Sequence, residues 1–257
     1  YYANGDLYAK SYYVAGKKDG LETVYHSNKN ISSEINYLNG EVNGSYKTFH
    51  FNGRPNEIGQ SLEGNYIGAW KTYYSDGTLE SESVYKNGYL SDLYKYYDTD
   101  GKLYYDYIYR KGKIIAFTFY NKNASVLKKG KKKGGEFYYE GFSPKGNKTI
   151  EGLYDISGGK VGEWKFYTNN GVLKNEGIFR NDKIVGSYFS YFKNGEIDNI
   201  TTYKEGVIDG YYVGYHTNGQ MSTQGWYKEG GQHGEWKYYH LDGSLDAINF
   251  YHNGTLN

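Results

Sequence analysis

The sequence predicts an all-β protein: an elongated, twisted antiparallel sheet of stacked β-hairpin repeats, arranged like a solenoid. Turn signals recur every 24 residues, and aromatic residues recur in the same frame. No segment shows apolar residues at the 3.6-residue spacing of a helix. A period of 24 residues in a chain of 257 residues gives about ten copies of a two-strand unit.

The first repeated element is an Asn-Gly or Asp-Gly pair, the strongest short-range signal of a β-hairpin. Such pairs favour a type I′ turn, because both of its central residues have positive φ. Eight pairs share one frame, and their glycines are Gly5, Gly53, Gly77, Gly101, Gly171, Gly195, Gly219 and Gly243. A second signal, two glycines four residues apart as at Gly64 and Gly68, is predicted to link one unit to the next.

Aromatic residues fill three columns in this frame. The first column holds Tyr25, Phe49, Tyr73, Tyr97, Tyr167, Tyr191, Tyr215 and Tyr239. The second lies three residues earlier and includes Trp70, Trp164 and Trp236, and the third closes each unit, as at Tyr85. Because side chains alternate along a strand, a regular turn would place Tyr73, Leu79 and Tyr85 on one face and Trp70 on the other.

The frame is regular over residues 1–109 and 154–257 and breaks over 110–153, so we interpret 1–257 as a single repeat array with an irregular middle. The only charge run lies in this middle segment and consists of Lys128, Lys129, Lys131, Lys132 and Lys133. Such a basic patch could contact an anion or a lipid headgroup, but a charge run is usually a solvated surface. We therefore favour a long solvated hairpin turn here.

Both ends of the array are predicted to lack a cap. Tyr1 and Tyr2 fall at mid-strand positions of a partial unit, and the last residues, Leu256 and Asn257, come just after a turn. Open β edges invite pairing with another strand. We expect more chain, another domain or a partner in a larger complex to cover these edges, and the chain to be part of a longer protein.

The recurring residues resemble the MORN-repeat variant of many bacterial proteins, including toxin–antitoxin repeat proteins. The resemblance is carried by Gly-Glu-Trp-Lys-Phe-Tyr at 162–167, Gly-Glu-Trp-Lys-Tyr-Tyr at 234–239 and Tyr-Lys-Asn-Gly at 85–88. It implies a ribbon of stacked hairpins that serves as a scaffold or adaptor. Related repeats have been linked to membrane tethering and dimerisation.

The sequence offers little support for catalysis, a cofactor or a metal. The absence of cysteine excludes thiolate zinc sites and a cysteine nucleophile, and 30 Lys+Arg against 29 Asp+Glu give no field that would attract nucleic acid. No nucleophile elbow, zinc-protease helix or dinucleotide fingerprint occurs. His26, His50, His216 and His240 share one repeat offset, and a spacing of ~10 Å between neighbours is too large for a shared metal.

We therefore predict a non-enzymatic repeat scaffold that binds a protein partner or forms part of a larger cell-envelope or secreted assembly. Exposed tyrosines suit such a surface because they give a large contact area with little loss of entropy. The candidate partner-binding residues are Tyr73, Tyr97, Tyr167, Tyr191, Tyr215, Tyr239, His216 and His240. Two alternatives stay open: a cytoplasmic antitoxin that neutralises a cognate toxin, and a surface that binds a glycan or the lipids of a membrane.

Overall fold

A computed structural model describes residues 1–256, and every regular element in them is a β-strand. Strands that follow one another in sequence pair antiparallel, so the main sheets are series of consecutive hairpins. The prediction of an all-β hairpin array is confirmed. Residues 1–256 contain no helix long and apolar enough to cross a membrane.

The chain forms two compact units, Tyr1–Lys131 and Lys132–Asn257, and the boundary falls inside the segment 110–153. The strands of the first unit are β1 (Ala9–Lys10), β2 (Tyr13–Val14), β3 (Lys17–Lys18), β4 (Gly20–Tyr25), β5 (Ile31–Leu38), β6 (Glu41–Phe49), β7 (Pro55–Leu62), β8 (Asn65–Tyr73), β9 (Leu79–Lys86), β10 (Tyr89–Leu90), β11 (Asp92–Tyr97), β12 (Leu103–Arg110), β13 (Lys113–Tyr120) and β14 (Val126–Lys131). Strands β2 and β3 form a small sheet of their own, and the other twelve form one sheet.

The second unit is a single sheet of eleven strands that pair in sequence order. Its strands are β15 (Phe137–Phe142), β16 (Lys148–Tyr154), β17 (Lys160–Tyr167), β18 (Leu173–Arg180), β19 (Lys183–Tyr191), β20 (Ile197–Lys204), β21 (Val207–Tyr215), β22 (Met221–Lys228), β23 (Gly231–Tyr239), β24 (Leu245–His252) and β25 (Thr255–Leu256).

Two expectations about irregular segments are wrong. The basic patch is not a long solvated turn, because Lys128, Lys129 and Lys131 lie in β14 and pair with β13. The turn comes earlier in the chain, where the Ala124 N–H donates to the Asn121 carbonyl. Tyr2 is not in mid-strand either, since it begins the turn that precedes β1.

The turn at Asn52-Gly53 also differs from the predicted type I′. At Asn52-Gly53 only Gly53 has positive φ, 83°, and its N–H donates to the His50 carbonyl, as in a type I turn closed by a glycine bulge. The neighbouring unit favours this form, because the Asn52 side chain donates to the Ser75 carbonyl at 2.7 Å. The type I′ turn occurs at the other connection, where Glu63 and Gly64 have φ of 50° and 74°.

Bulges decide which side chains share a face. Tyr85 was expected beside Tyr73, but its ring meets Trp70 edge-on at 6.0 Å between centroids. The prediction fails because the pairing register shifts between Thr72 and Tyr73, which adds a residue to the turn. We call the face with Trp70, Trp164 and Trp236 the tryptophan face, and the opposite face, which carries Tyr97 and Glu82, the ladder face.

The tryptophan face is packed by indoles that lie on glycines of the preceding strand. Trp70, Trp164 and Trp236 are 0–2% exposed. A Cβ atom added to the glycine beneath each of them would approach the indole to 2.1–2.3 Å; these glycines are Gly59, Gly152 and Gly225. Where the second aromatic column holds tyrosine instead of tryptophan, the residue paired with it on the preceding strand can be larger than glycine. Ile35 is paired with Tyr46, and Thr201 is paired with Tyr212.

Candidate functional site

The first aromatic column, which carries the candidate tyrosines, uses most of its hydroxyls inside the sheet. Tyr97 donates to Glu82 at 3.1 Å and Tyr191 donates to Glu176 at 2.5 Å. Tyr167 makes the same bond to Glu151, and Tyr239 accepts one from Gln224. Tyr73 and Tyr215 are half-buried in the same column. These pairs of a tyrosine and a carboxylate or amide tie each strand to the strands beside it.

Glu151 is the most strongly held of these carboxylates. Burial alone would raise its pKa, but hydrogen bonds from Lys148, Tyr167 and Tyr138 outweigh burial and bring the pKa to about 2. The Lys148 ammonium lies 2.8 Å from one carboxylate oxygen of Glu151. This cluster stabilises the start of the second unit.

The histidine column is also engaged within the sheet. His216 Nε2 lies 2.8 Å from the Tyr239 carbonyl oxygen and must donate, because a carbonyl can only accept. His50 makes the same contact with the Tyr73 carbonyl, and Tyr74 replaces histidine one repeat later. His240 instead lies 3.2 Å from the Asp246 carboxylate on the surface.

The basic patch is divided between the two units. Lys128, Lys129 and Lys131 belong to the first unit, whereas Lys132 and Lys133 begin the second. The Lys132 ammonium donates to two backbone carbonyls, including that of Ile156 at 2.6 Å. The lysines therefore do not form one patch within either unit.

The ladder face carries a further column of mostly apolar residues. It is difficult to recognise in the sequence because each member is adjacent to an aromatic residue of the third column. Its members come immediately before the third aromatic column and alternate with it; they are Val84, Ile108, Leu153, Ile178, Thr202, Trp226 and Phe250. Ile178, Trp226 and Phe250 are 52%, 57% and 54% exposed. We call this set the apolar column. The signal that could have revealed it is an apolar residue at the same repeat position in six of nine copies; Asn36, Gln60 and Thr202 occupy the position in the other three.

A cleft lies beside the apolar column in each unit. The Trp226 cleft, of about 420 Å³, is lined by Tyr211, Gln224, Trp226, His233, Glu235 and Lys237. The Val84 cleft, of about 220 Å³, is lined by Ala69, Lys71, Glu82, Val84, Leu93 and Lys95. Most of these positions correspond between the two units, so the two clefts occupy the same place in the repeat.

The Trp226 cleft combines an aromatic wall with paired charges. The Tyr211 and Trp226 rings are 5.8 Å apart at 60°, and the Tyr211 hydroxyl donates to Gln224 at 2.6 Å. The Glu235 carboxylate is 2.8 Å from the Lys237 ammonium. The ring nitrogen Nδ1 of His233 is buried without a hydrogen-bond partner among residues 1–256. This arrangement suits binding of an uncharged ligand with some hydrogen-bonding capacity.

Chemistry beyond binding has little support in this geometry. No group of three or more His, Cys, Asp or Glu residues in the described chain is placed to hold a metal ion. The carboxylates of the ladder face are occupied by lysines and tyrosines, as Glu176 is by Lys165 and Tyr191.

Four segments match the family model described as the MORN repeat variant: 18–39, 66–87, 160–181 and 232–253. The second match covers β8, its turn and β9, so it corresponds to one hairpin of the array. The other three likewise cover β4–β5, β17–β18 and β23–β24. Four hairpins of this chain are thus similar to MORN repeats in sequence. The curated proteins contain no match.

Among solved structures, two toxin-complex chains are weakly similar to this chain. The TcdB2-TccC3-Cdc42 crystal structure is 11% identical, with a TM-score of 0.18, over 91% of this chain and 14% of that chain. The Tc holotoxin pore of Photorhabdus luminescens is 12% identical, with a TM-score of 0.21, over 90% of this chain and 14% of that chain. This chain thus spans about one seventh of those chains, and similarity at this level carries no conclusion about its function.

Proposed function

We propose that the chain is a non-enzymatic repeat scaffold that binds a protein partner along the ladder face. The observation that carries this proposal is the exposed row of Ile178, Trp226 and Phe250 on one face of the second unit. Large exposed apolar patches mark interaction surfaces, and tryptophan and tyrosine are enriched among the few residues that dominate the binding energy of protein interfaces.

The ladder face supports such contact because its backbone is held rigidly. Side chains on one hairpin bond to the backbone of the next, as His216 does to the Tyr239 carbonyl and Asn218 to the Leu241 carbonyl. Tyr191 and Glu176 join neighbouring strands in the same way. A surface that is already ordered loses little entropy on binding, which favours affinity.

The length of the apolar column favours a macromolecular partner. In the second unit its members lie on β16, β18, β20, β22 and β24, one on every second strand. With neighbouring strands ~4.8 Å apart, these members span about 40 Å. A surface of that length is typical of protein interfaces rather than of small-molecule sites.

The identity of the partner decides between the alternatives. A subunit of a cell-envelope or secreted assembly and a cognate toxin would both use this surface. The first would be recovered from envelope or secreted fractions, and a toxin bound by a cytoplasmic antitoxin would be recovered from the cytoplasm. A surface for glycans or membrane lipids is the remaining alternative.

The test is chemical cross-linking and affinity capture from the native cell, followed by mass spectrometry. The wild-type chain is compared with Trp226→Glu and with Phe51→Ala, which removes a similarly exposed ring outside the apolar column. We expect one protein to be captured by the wild type and Phe51→Ala, and a loss of about tenfold or more with Trp226→Glu. Equal capture by all three variants, or no captured protein, would contradict the proposal.

A further inference from the structure

We infer that the partner segment on the ladder face is an uncharged polyproline-II chain that runs along the apolar column, across the strands. This inference rests on the proposed function and specifies the chemistry of the partner. It is based on three observations: the spacing of the column, the recurrence of the cleft, and the pairing of charges within the cleft.

The spacing selects the conformation of the ligand. Members of the column on alternate strands, such as Trp226 on β22 and Phe250 on β24, are separated by about 9.6 Å, two strand spacings. A polyproline-II helix brings every third side chain to the same face, about 9.3 Å apart. The two periods differ by about 0.3 Å, so four steps accumulate only about 1 Å of mismatch.

Other extended ligands fit this spacing less well. Same-face side chains of a β-strand recur at about 6.8 Å or about 13.6 Å, and neither value is close to the spacing of the column. An α-helix offers a contact every seven residues, or about 10.5 Å, which accumulates nearly 4 Å of mismatch over four steps. The column therefore favours a chain with three residues per contact.

In each unit, a cleft lies beside one member of the column. Trp226 forms one wall of its cleft and Val84 forms the corresponding wall in the first unit. Polyproline-II ligands dock between aromatic side chains, and their carbonyl groups have no internal hydrogen bonds. The exposed indole of Trp226 can supply an N–H donor to such a carbonyl.

Two charged side chains in each cleft form an ion pair with one another, which favours an uncharged ligand. Glu235 and Lys237 are paired at 2.8 Å, and the corresponding cleft contains Lys71 and Glu82 at 3.1 Å. A neutral segment would leave both ion pairs intact, whereas a charged segment would compete with them; the Val84 cleft carries Lys95 in addition to its ion pair.

The aliphatic members of the column favour a peptide over a saccharide. Ile178 is 52% exposed and offers only methyl and methylene groups, which pack against proline rings but form no hydrogen bonds with sugar hydroxyls. A neutral saccharide is retained as an outcome of the test.

The test measures binding of synthetic oligoprolines, whose lengths rise in steps of three residues from about six to about twelve. The chain has 4 tryptophans. Three of them are buried, so indole fluorescence reports chiefly on Trp226 and is lost as a readout in Trp226→Ala. Isothermal titration calorimetry therefore measures the affinity of every variant. The comparison ligands are a glycine–serine peptide of the same length and a neutral β-1,4-linked hexasaccharide. The variants are Trp226→Ala, Phe250→Ala and the control Phe51→Ala, with circular dichroism to confirm that each is folded.

We expect affinity for oligoproline to rise with each step of three residues and to fall about tenfold in Trp226→Ala and in Phe250→Ala, but not in Phe51→Ala. Absence of oligoproline binding, or equal binding by all variants, would overturn the inference. Binding of the hexasaccharide instead, with loss in Trp226→Ala, would also overturn it and would identify the groove as a saccharide site.

The two proposals can fail separately. If Trp226→Glu abolishes capture of the natural partner but oligoproline neither binds nor competes, the inference fails and the proposed function stands. If oligoproline binds at Trp226 while Trp226→Glu captures the partner normally, protein binding along the ladder face is refuted.

Discussion

Replacing Gly225 with alanine tests how the tryptophan face is packed. The added Cβ would lie 2.3 Å from Cδ2 of Trp236, whereas carbon atoms in contact prefer about 3.5–4.0 Å. The indole is only 1% exposed, and the rings of Tyr227 and Tyr212 lie 5.0 and 5.6 Å from it, so it has little room to move.

The expected loss of stability follows from this overlap. Overpacking of a core costs about 1–3 kcal/mol, and complete expulsion of a buried tryptophan costs about 3–5 kcal/mol. We expect Gly225→Ala to lower the free energy of unfolding by about 3 kcal/mol, measured by urea denaturation. A loss below about 0.5 kcal/mol would refute the packing argument.

A second substitution provides the matched control, because the chain already pairs Thr201 with Tyr212. Trp236→Tyr should relieve the overlap, so the cost of Gly225→Ala should fall to about 1 kcal/mol or less in that background. An unchanged cost of Gly225→Ala in both backgrounds would show that its effect does not arise from the indole.

Two further predictions concern the ladder face. The pKa of Glu151 is lowered to about 2 from 4.5, so its ionised form stabilises the fold above the unfolded-state pKa, and this contribution is lost as the pH falls through about 2. The free energy of unfolding of Glu151→Gln should therefore be about 1 kcal/mol below that of the wild type at neutral pH, after allowance for solvent screening. The two proteins should be about equally stable near pH 2. A difference that does not change with pH would contradict this prediction. His216→Ala leaves the Tyr239 carbonyl without its donor and should cost about 1 kcal/mol in urea denaturation. His216→Tyr should cost less, because Tyr74 already makes the equivalent bond, and equal losses in both variants would count against this role.

The repeat and its strands could be predicted because their signals are local. Asn-Gly and Asp-Gly pairs mark one set of turns, and aromatic columns in the same frame mark the strands between them. Local signals did not determine the turn type, because Asn52-Gly53 is compatible with two geometries. The hydrogen bond from Asn52 to the Ser75 carbonyl belongs to the next unit and favours one of them.

The faces were harder to predict, because alternation holds only along an uninterrupted strand. The shift between Thr72 and Tyr73 moves Tyr85 to the face of Trp70. The apolar column was hidden for a related reason: Trp226 is adjacent to Tyr227 in sequence, and a sheet with rings on both faces gives no simple polar–apolar alternation. Exposure of Trp226 became apparent only from the paired strands.

The packing of tryptophan on glycine also constrains how such an array can change its number of copies. Gly152 and Trp164 lie on consecutive hairpins. Whether two copies can pack side by side therefore depends on the pair of residues at their junction, not on either copy alone. A hairpin that begins with tryptophan can follow only a hairpin that ends with glycine at the facing position. A tyrosine hairpin can follow several types, since Tyr46 faces Ile35, Tyr212 faces Thr201 and Tyr188 faces Gly177. Duplication or loss of a copy is therefore tolerated most readily at tyrosine junctions, where a newly joined neighbour needs no compensating substitution.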